Sequence, residues 1–67
     1  MHPLAKKLGK RIRELREKRK ITSERFADEN GISKGYLCDI ENGKRLPTLE
    51  MLDKIAQALG IPLRELF

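Results

Sequence analysis

The chain has 67 residues, a net charge of +5 and a single cysteine. This length supports one domain with a small core, spanning 1–67. The sequence has no apolar stretch long enough to cross a membrane, and no apolar run follows its basic start, which argues against a secretory signal. One cysteine excludes an internal disulfide and a Cys-rich zinc site, so a reducing, cytoplasmic setting is expected.

The positive charge is concentrated at the start of the chain. Residues 1–20 hold nine lysines and arginines and two glutamates, a net of +7, whereas residues 21–67 have a net of −2. A basic excess suits a polyanionic partner, for which nucleic acid is the first candidate. The alternative is a lysine-rich helix face that is only solvated.

An amphipathic helix is predicted over about 4–19. Its apolar residues recur every three or four positions, which places them on one stripe: Leu4, Leu8, Ile12 and Leu15. The remaining face is almost entirely cationic, and the basic residues 18–20 suit the negative pole of the helix dipole.

Two short helices with a tight turn between them are predicted next. Thr22 is a good N-cap for the first of them, and Gly31 can end it in a left-handed conformation. Ser33 caps the following helix, which Gly43 ends. A helix, a short turn containing glycine and a second helix, here over about 23–42, are the elements of the DNA-binding helix-turn-helix.

The second of these short helices has two different faces. Leu37, Ile40 and Glu41 share the inward face. The outer surface carries almost no bulky apolar group, and its residues are Lys34, Gly35, Cys38, Asp39 and Asn42, with Tyr36 on the flank. Such a surface is free to meet a partner.

A fourth helix is predicted after a short loop. Thr48 caps it, and Gly60 stops it. Its apolar residues have helical spacing: Leu49, Leu52, Ile55, Ala56 and Leu59. Pro62 is predicted to occupy the first position of a last helical turn. Without any strand pattern, the sequence predicts an all-α fold.

The order of several short motifs resembles the Cro- and repressor-type helix-turn-helix family, also called Xre-like or lambda-repressor-like. The resemblance covers about 8–66 and includes Arg16, Ile21-Thr22, Phe26-Ala27, Gly31-Ile32-Ser33, Tyr36-Leu37, Ile40-Glu41-Asn42-Gly43-Lys44, Pro47-Thr48-Leu49-Glu50 and Ala58-Leu59-Gly60. It implies a compact five-helix bundle whose third helix enters the major groove while the second lies across the backbone. It also implies a transcriptional regulator, such as a repressor, that binds double-stranded DNA as a homodimer on a two-fold symmetric operator.

The resemblance further implies four base-facing positions, Lys34, Gly35, Cys38 and Asp39. Lys34 can donate to guanine O6 and N7, and Asp39 can accept from cytosine N4. Alternatively, Lys34 is solvated or contacts a phosphate, and Asp39 pairs with Lys34 or Arg45. Gly35 has no side chain, so it permits close backbone approach or leaves its base unread.

Contacts with the DNA backbone are expected from Thr22, Ser23, Tyr36, Asn42, Lys44 and Arg45. Ser23 stands where many family members have glutamine, so its reach to a phosphate is shorter. Alternatively, Tyr36 packs on the flank of the second helix, and the cations Lys44 and Arg45 face solvent in a loop. Contacts to phosphates would set position and affinity rather than sequence preference.

Arg16 and Glu41 resemble a family ion pair that joins the first helix to the third. Glu41 lies on the inward face of its helix, where an unpaired carboxylate is unfavourable. The expected role of this pair is structural.

Dimerisation is expected through the last helical turn. Leu63, Leu66 and Phe67 cluster there, and exposed apolar clusters mark association sites. The alternative is a monomer in which they fold back onto Leu4 and Leu8. The sequence ends within a helix-like pattern, which leaves a further domain or protein partner beyond Phe67 open.

Enzymatic interpretations find little support. His2 is the only histidine, so neither a His-Cys nor a His-Ser constellation is expected in the core, and no cluster of metal ligands is apparent. We therefore expect a non-enzymatic protein without metal or cofactor. The alternative function is a protein-interaction module of the same fold, of the antitoxin or coactivator type, because so few residues are suited to reading bases.

Overall fold

The computed structural model describes residues 3–67, and His2 lies outside them. These residues form four α-helices and a final 3-10 helix: α1 (Pro3–Lys18), α2 (Ser23–Glu29), α3 (Lys34–Glu41), α4 (Leu49–Leu59) and the 3-10 helix Leu63–Leu66. No strand occurs between residues 3 and 67, so the prediction of an all-α fold is confirmed.

Three helices begin at hydroxyl caps. The side-chain oxygens of Thr22, Ser33 and Thr48 accept hydrogen bonds from the backbone N–H three residues ahead, at 3.2, 3.0 and 3.2 Å. Each bond satisfies a backbone donor that the first helical turn would otherwise leave unpaired. The predicted starts of α2, α3 and α4 are therefore confirmed.

All four α-helices are followed by a residue with positive φ. These residues are Lys20 (57°), Gly31 (66°), Gly43 (75°) and Gly60 (71°). After each of them, the next N–H donates to the carbonyl five residues back, which is the Schellman arrangement. Glycine adopts this conformation without a Cβ clash, whereas a lysine is strained there.

The expected five-helix bundle is not found, because the last turn is a 3-10 helix. Pro62 is extended, with φ −70° and ψ 150°, and precedes the helix instead of occupying its first position. The turn is held by i to i+3 bonds, from Glu65 N to the Pro62 carbonyl at 3.0 Å and from Phe67 N to the Arg64 carbonyl at 3.2 Å. A single short turn favours this tighter helix.

The core receives side chains from every element. Leu8 and Ile12 of α1 meet Phe26 of α2, while Leu37 and Ile40 enter from α3 and α4 completes the cluster. Eight large side chains are almost fully buried: Leu8, Ile12, Phe26, Leu37, Ile40, Ile55, Leu59 and Leu66. The inward face of α3 is thus fixed, which leaves its opposite face at the surface.

The backbone of α1 lies directly against the end of α3. A Cβ at Gly9 would meet the carbonyl oxygen of Ile40 and would lie 2.8 Å from that of Glu41. A Cβ at Gly43 would lie 2.8 Å from Cα of Lys6. Both glycines are needed for this approach, because any side chain would push the two helices apart.

Candidate nucleic-acid interface

The outer face of α3 is polar and accessible. Lys34, Gly35, Cys38 and Asn42 are exposed, while Asp39 is half-buried at the edge. Asn42 Nδ2 lies 3.3 Å from the free thiol sulfur of Cys38, one turn away. The structure therefore places the four residues predicted to face bases on or beside one accessible surface.

Lys34 has an acidic neighbour on α2. Its Nζ lies 3.7 Å from Oε1 of Glu24, and both side chains are mostly exposed. Because an exposed pair contributes little, Lys34 remains free to exchange this carboxylate for another acceptor. This pair was not predicted from the sequence, since periodicity within one helix cannot detect a contact between two helices.

Asp39 does not form the ion pairs considered from the sequence. Lys34 pairs with Glu24 instead, and the Arg45 guanidinium lies over the Tyr36 ring. Within residues 3–67, no salt bridge involves Asp39. Its carboxylate is therefore not neutralised and favours a hydrogen-bond donor over a phosphate as its neighbour.

Arg45 is held over an aromatic ring at the exit of α3. Its guanidinium carbon lies 5.4 Å from the centroid of the Tyr36 ring, within the range of a cation–π contact. Tyr36 is half-buried and packs against the core, so its ring has a packing role apart from any contact of its hydroxyl with DNA. One side chain can thus both fill the flank of α3 and orient an arginine.

The residue that follows the helix-ending turn differs between α3 and the other three helices. Ile21, Ile32 and Ile61 follow the turns after α1, α2 and α4, and all three pack against the core. After α3 the corresponding residue is the exposed Lys44. The exit of α3 thus directs a cation outward where the other three helices place an isoleucine inward.

The start of α2 carries Thr22 and Ser23, two hydroxyl residues that were predicted to contact the DNA backbone. Thr22 is exposed, and its oxygen accepts from Arg25 N at 3.2 Å. Its hydroxyl hydrogen remains able to donate to an anion. Ser23 is half-buried at the first helical position, and the free amides there favour a negative group.

Arg16 connects three parts of the molecule. Its Nε and Nη2 donate to the Glu41 carboxylate, at 2.8 and 3.0 Å, and its Nη1 donates to the Ile21 carbonyl at 2.6 Å. The hydrogen bond with Glu41 raises the pKa of the Arg16 guanidinium, against the opposing effect of burial. The arginine is thus charged throughout the neutral range and joins α1, the following turn and α3.

The C-terminal cluster is only partly available to a partner. Leu66 is 0% exposed, so the expectation that it belongs to an exposed, dimer-forming cluster is wrong. The 3-10 helix turns its side chain into the cluster with Leu8 and Leu59. Leu63 is half-buried and Phe67 is 54% exposed, so these two remain at the surface.

Other kinds of site were sought in the part of the chain that the structure describes. Residues 3–67 contain no group of three or more His, Cys, Asp or Glu arranged to hold a metal ion. Within the same residues, no helix has the length and apolar character needed to span a membrane. The surface around α3 is the candidate site that the geometry singles out.

Comparisons of sequence place the chain among known proteins. The family profile described as a helix-turn-helix domain matches residues 9–67. The chain is 41% identical over 54 residues to the immunity repressor protein of Bacillus phage phi105, a match that covers 81% of this chain and 38% of that protein. It is 40% identical over 68 residues to the control protein C.MunI of a Mycoplasma species, covering 100% of this chain and 92% of that protein.

Solved structures agree with this placement. The restriction-modification controller protein C.AhdI from Aeromonas hydrophila superposes with a TM-score of 0.89 at 38% identity, over 94% of this chain and 96% of that one. The clp gene regulator ClgR from C. glutamicum gives 0.90 at 27% identity, over 98% and 86%. The chain belongs to the helix-turn-helix domain family, as the order of its motifs predicted.

Proposed function

We propose that this chain binds double-stranded DNA sequence-specifically and acts as a transcriptional regulator. The single observation that carries the proposal is the contrast between the two faces of α3. Leu37 and Ile40 are buried, whereas Lys34 and Asn42 are exposed on a surface that ends in the cations at 44 and 45. Relatives named as repressors and controller proteins support it.

The mechanism follows from how a helix docks in DNA. Residues 3–67 serve as one binding domain in which α3 enters the major groove. Lys34 donates to base edges there, Asp39 accepts from them, and Gly35 and Cys38 allow a close approach. Thr22, Ser23, Tyr36, Asn42, Lys44 and Arg45 face the phosphates on either side.

Binding as a homodimer fits the exposed C-terminal residues. Phe67 and Leu63 supply the apolar contact, and a two-fold axis presents the same patch from both subunits. Such a dimer sets two α3 helices about 34 Å apart, one turn of DNA, and so matches a two-fold symmetric operator.

A second candidate is a protein-interaction module. Leu46 and Leu49 are 52% and 68% exposed, and they are three positions apart, in the loop before α4 and at its first residue. Exposed leucines this close in the chain favour a protein partner.

A salt titration separates the two functions. Duplexes are enriched from a random-sequence library by binding to the chain, and their affinity is then measured by fluorescence anisotropy at increasing salt. A DNA-binding regulator enriches a shared sequence and loses affinity steeply as condensed counterions are released. If no sequence is enriched and no duplex binds at low salt, the DNA-binding proposal is wrong and the protein-interaction module takes its place.

A further inference from the structure

The cations of α1 do not all face the same part of the molecule. Lys6 and Lys10 are one turn apart and, with Lys7, line a groove that includes Glu41 and Asn42 at the end of α3. Lys10 also borders a neighbouring groove that includes Leu66 and Phe67. Lys18 lies instead in a groove with Ile61 and Glu65, towards the C-terminal 3-10 helix.

The backbone contacts fix this arrangement. Because Gly9 and Gly43 have no side chains, α1 approaches so closely that Cα of Lys6 lies 2.8 Å from where a Cβ of Gly43 would be. The lysine side chains therefore leave α1 right beside Asn42, at the outer edge of α3. This close approach of α1 is set by the backbone, so it does not depend on the rotamers of exposed side chains.

Both lysines are available for an external anion. Lys6 and Lys10 are exposed, and no salt bridge within residues 3–67 includes either of them. Their neighbour Arg13 differs, since its Nε lies 3.5 Å from Oε2 of Glu17. Lys6 and Lys10 therefore have no salt-bridge partner among the described residues, whereas Arg13, on the same side of α1, has a carboxylate beside it.

We infer that Lys6 and Lys10 contact the phosphate backbone of DNA beside α3, so that α1 forms one wall of the DNA-binding surface. The inference rests on the proposed function. An α-helix with its side chains is about 10–12 Å across, and the major groove is about 12 Å wide. A helix that fills the groove therefore has a phosphate strand on each side of it. Side chains that border the helix, as Lys6 and Lys10 border α3, are placed beside one of these strands.

The test compares lysines that carry the same charge on the same helix. Lys6→Gln and Lys10→Gln are each measured for binding to a library-enriched duplex over a series of salt concentrations. Each should reduce the slope of log affinity against log salt by about one, the value for one lost phosphate contact. The matched control is Lys18→Gln, which removes the same charge from the far end of α1, in the groove with Ile61 and Glu65, and should leave the slope unchanged.

A second measurement distinguishes contact from general attraction. Single phosphates of the duplex are replaced by neutral methylphosphonates. One such replacement should weaken the parent chain yet have no further effect on the Lys10→Gln chain, and Lys10→Arg should behave like the parent.

Three results separate the possibilities. Equal slope changes for all three lysine variants would show diffuse attraction only and overturn the inference. Unchanged slopes for Lys6→Gln and Lys10→Gln would overturn it as well, while leaving the proposed function intact. Absence of binding by the parent chain would reject the proposed function itself.

Discussion

Arg16 and Glu41 pair through two hydrogen bonds at 2.8 and 3.0 Å, although they are 25 positions apart in the chain. Their side chains are only 7% and 6% exposed. Such a pair has given up most of its hydration, so its value depends on both partners being present. The same guanidinium also satisfies the Ile21 carbonyl, which makes the arginine the harder of the two to replace.

Glu41→Ala should strongly destabilise the chain. It leaves the Arg16 charge buried without its carboxylate, and breaking a buried pair in this way costs about 3–5 kcal/mol. Urea unfolding monitored by helical circular dichroism measures the loss. The control is Glu29→Ala, which removes an exposed pair with Arg25 and should cost at most about 1 kcal/mol. Similar losses for both variants would contradict a structural role for the buried pair.

Lys20→Gly should stabilise the chain. Lys20 has a φ of 57° in the turn after α1, and a left-handed conformation costs a residue with a Cβ roughly 1–2 kcal/mol. A gain of about 1 kcal/mol in the free energy of unfolding is expected, somewhat reduced by the greater freedom of glycine in the unfolded chain. Lys10→Gly, in the interior of α1, should lose about 1 kcal/mol. A Lys20→Gly chain no more stable than the parent would show that the turn is not strained.

Lys44→Ala and Arg45→Ala should weaken binding to all duplexes about equally. Each removes a cation placed for a phosphate, so each should reduce the salt slope by about one. Tyr36→Phe keeps the ring under Arg45 but removes the hydroxyl, so it should weaken binding to all duplexes while leaving the salt slope unchanged, because no charge is lost. If Lys44→Ala or Arg45→Ala altered the preferred sequence, the loop would be reading bases.

Lys34→Ala should change which duplex is preferred. Loss of a donor to a guanine edge costs about 1–3 kcal/mol at one base pair, while duplexes with another base there lose little. Enrichment from a random library with both chains reveals the altered position. A uniform loss across all duplexes would reassign Lys34 to a phosphate.

Phe67→Lys should weaken self-association without unfolding the chain. Phe67 is 54% exposed, so a charge there disturbs a partner more than the core. Leu66→Lys is not a usable probe, because Leu66 is buried within the subunit. Sedimentation velocity at micromolar concentration measures the change. A parent chain that sediments as a monomer without DNA, with no shift in Phe67→Lys, would exclude this interface.

The sequence predicts the beginnings and ends of most helices because each signal is local. Thr22, Ser33 and Thr48 form caps within three residues of themselves, and glycines mark three of the four turns. The fourth turn, at Lys20, has no such signal. Neither does the role of Gly9, since nothing in its neighbourhood reveals that α3 lies against it.

Of the expectations that depended on tertiary packing, some agree with the structure and others do not. The Arg16–Glu41 pair was expected from resemblance and is present, whereas Leu66 was expected in an exposed, dimer-forming cluster and is buried in the core. The Glu24–Lys34 pair depends on how α2 and α3 cross, and the contact of Arg45 with Tyr36 depends on how the chain turns after α3. Spacing within one helix does not contain that information.

The close contact at Gly9 has a kinetic consequence. It fastens the segment that includes α1 to α3; residues 1–20 have a net charge of +7, whereas residues 21–67 have a net of −2. The molecule therefore has a permanent charge asymmetry, with its positive charge concentrated on and just after α1. The electrostatic field of a polyanion orients such a molecule as it approaches, and long-range steering of this kind raises association rates. For the DNA binding proposed above, we expect α1 to orient the molecule before α3 makes its first specific contact.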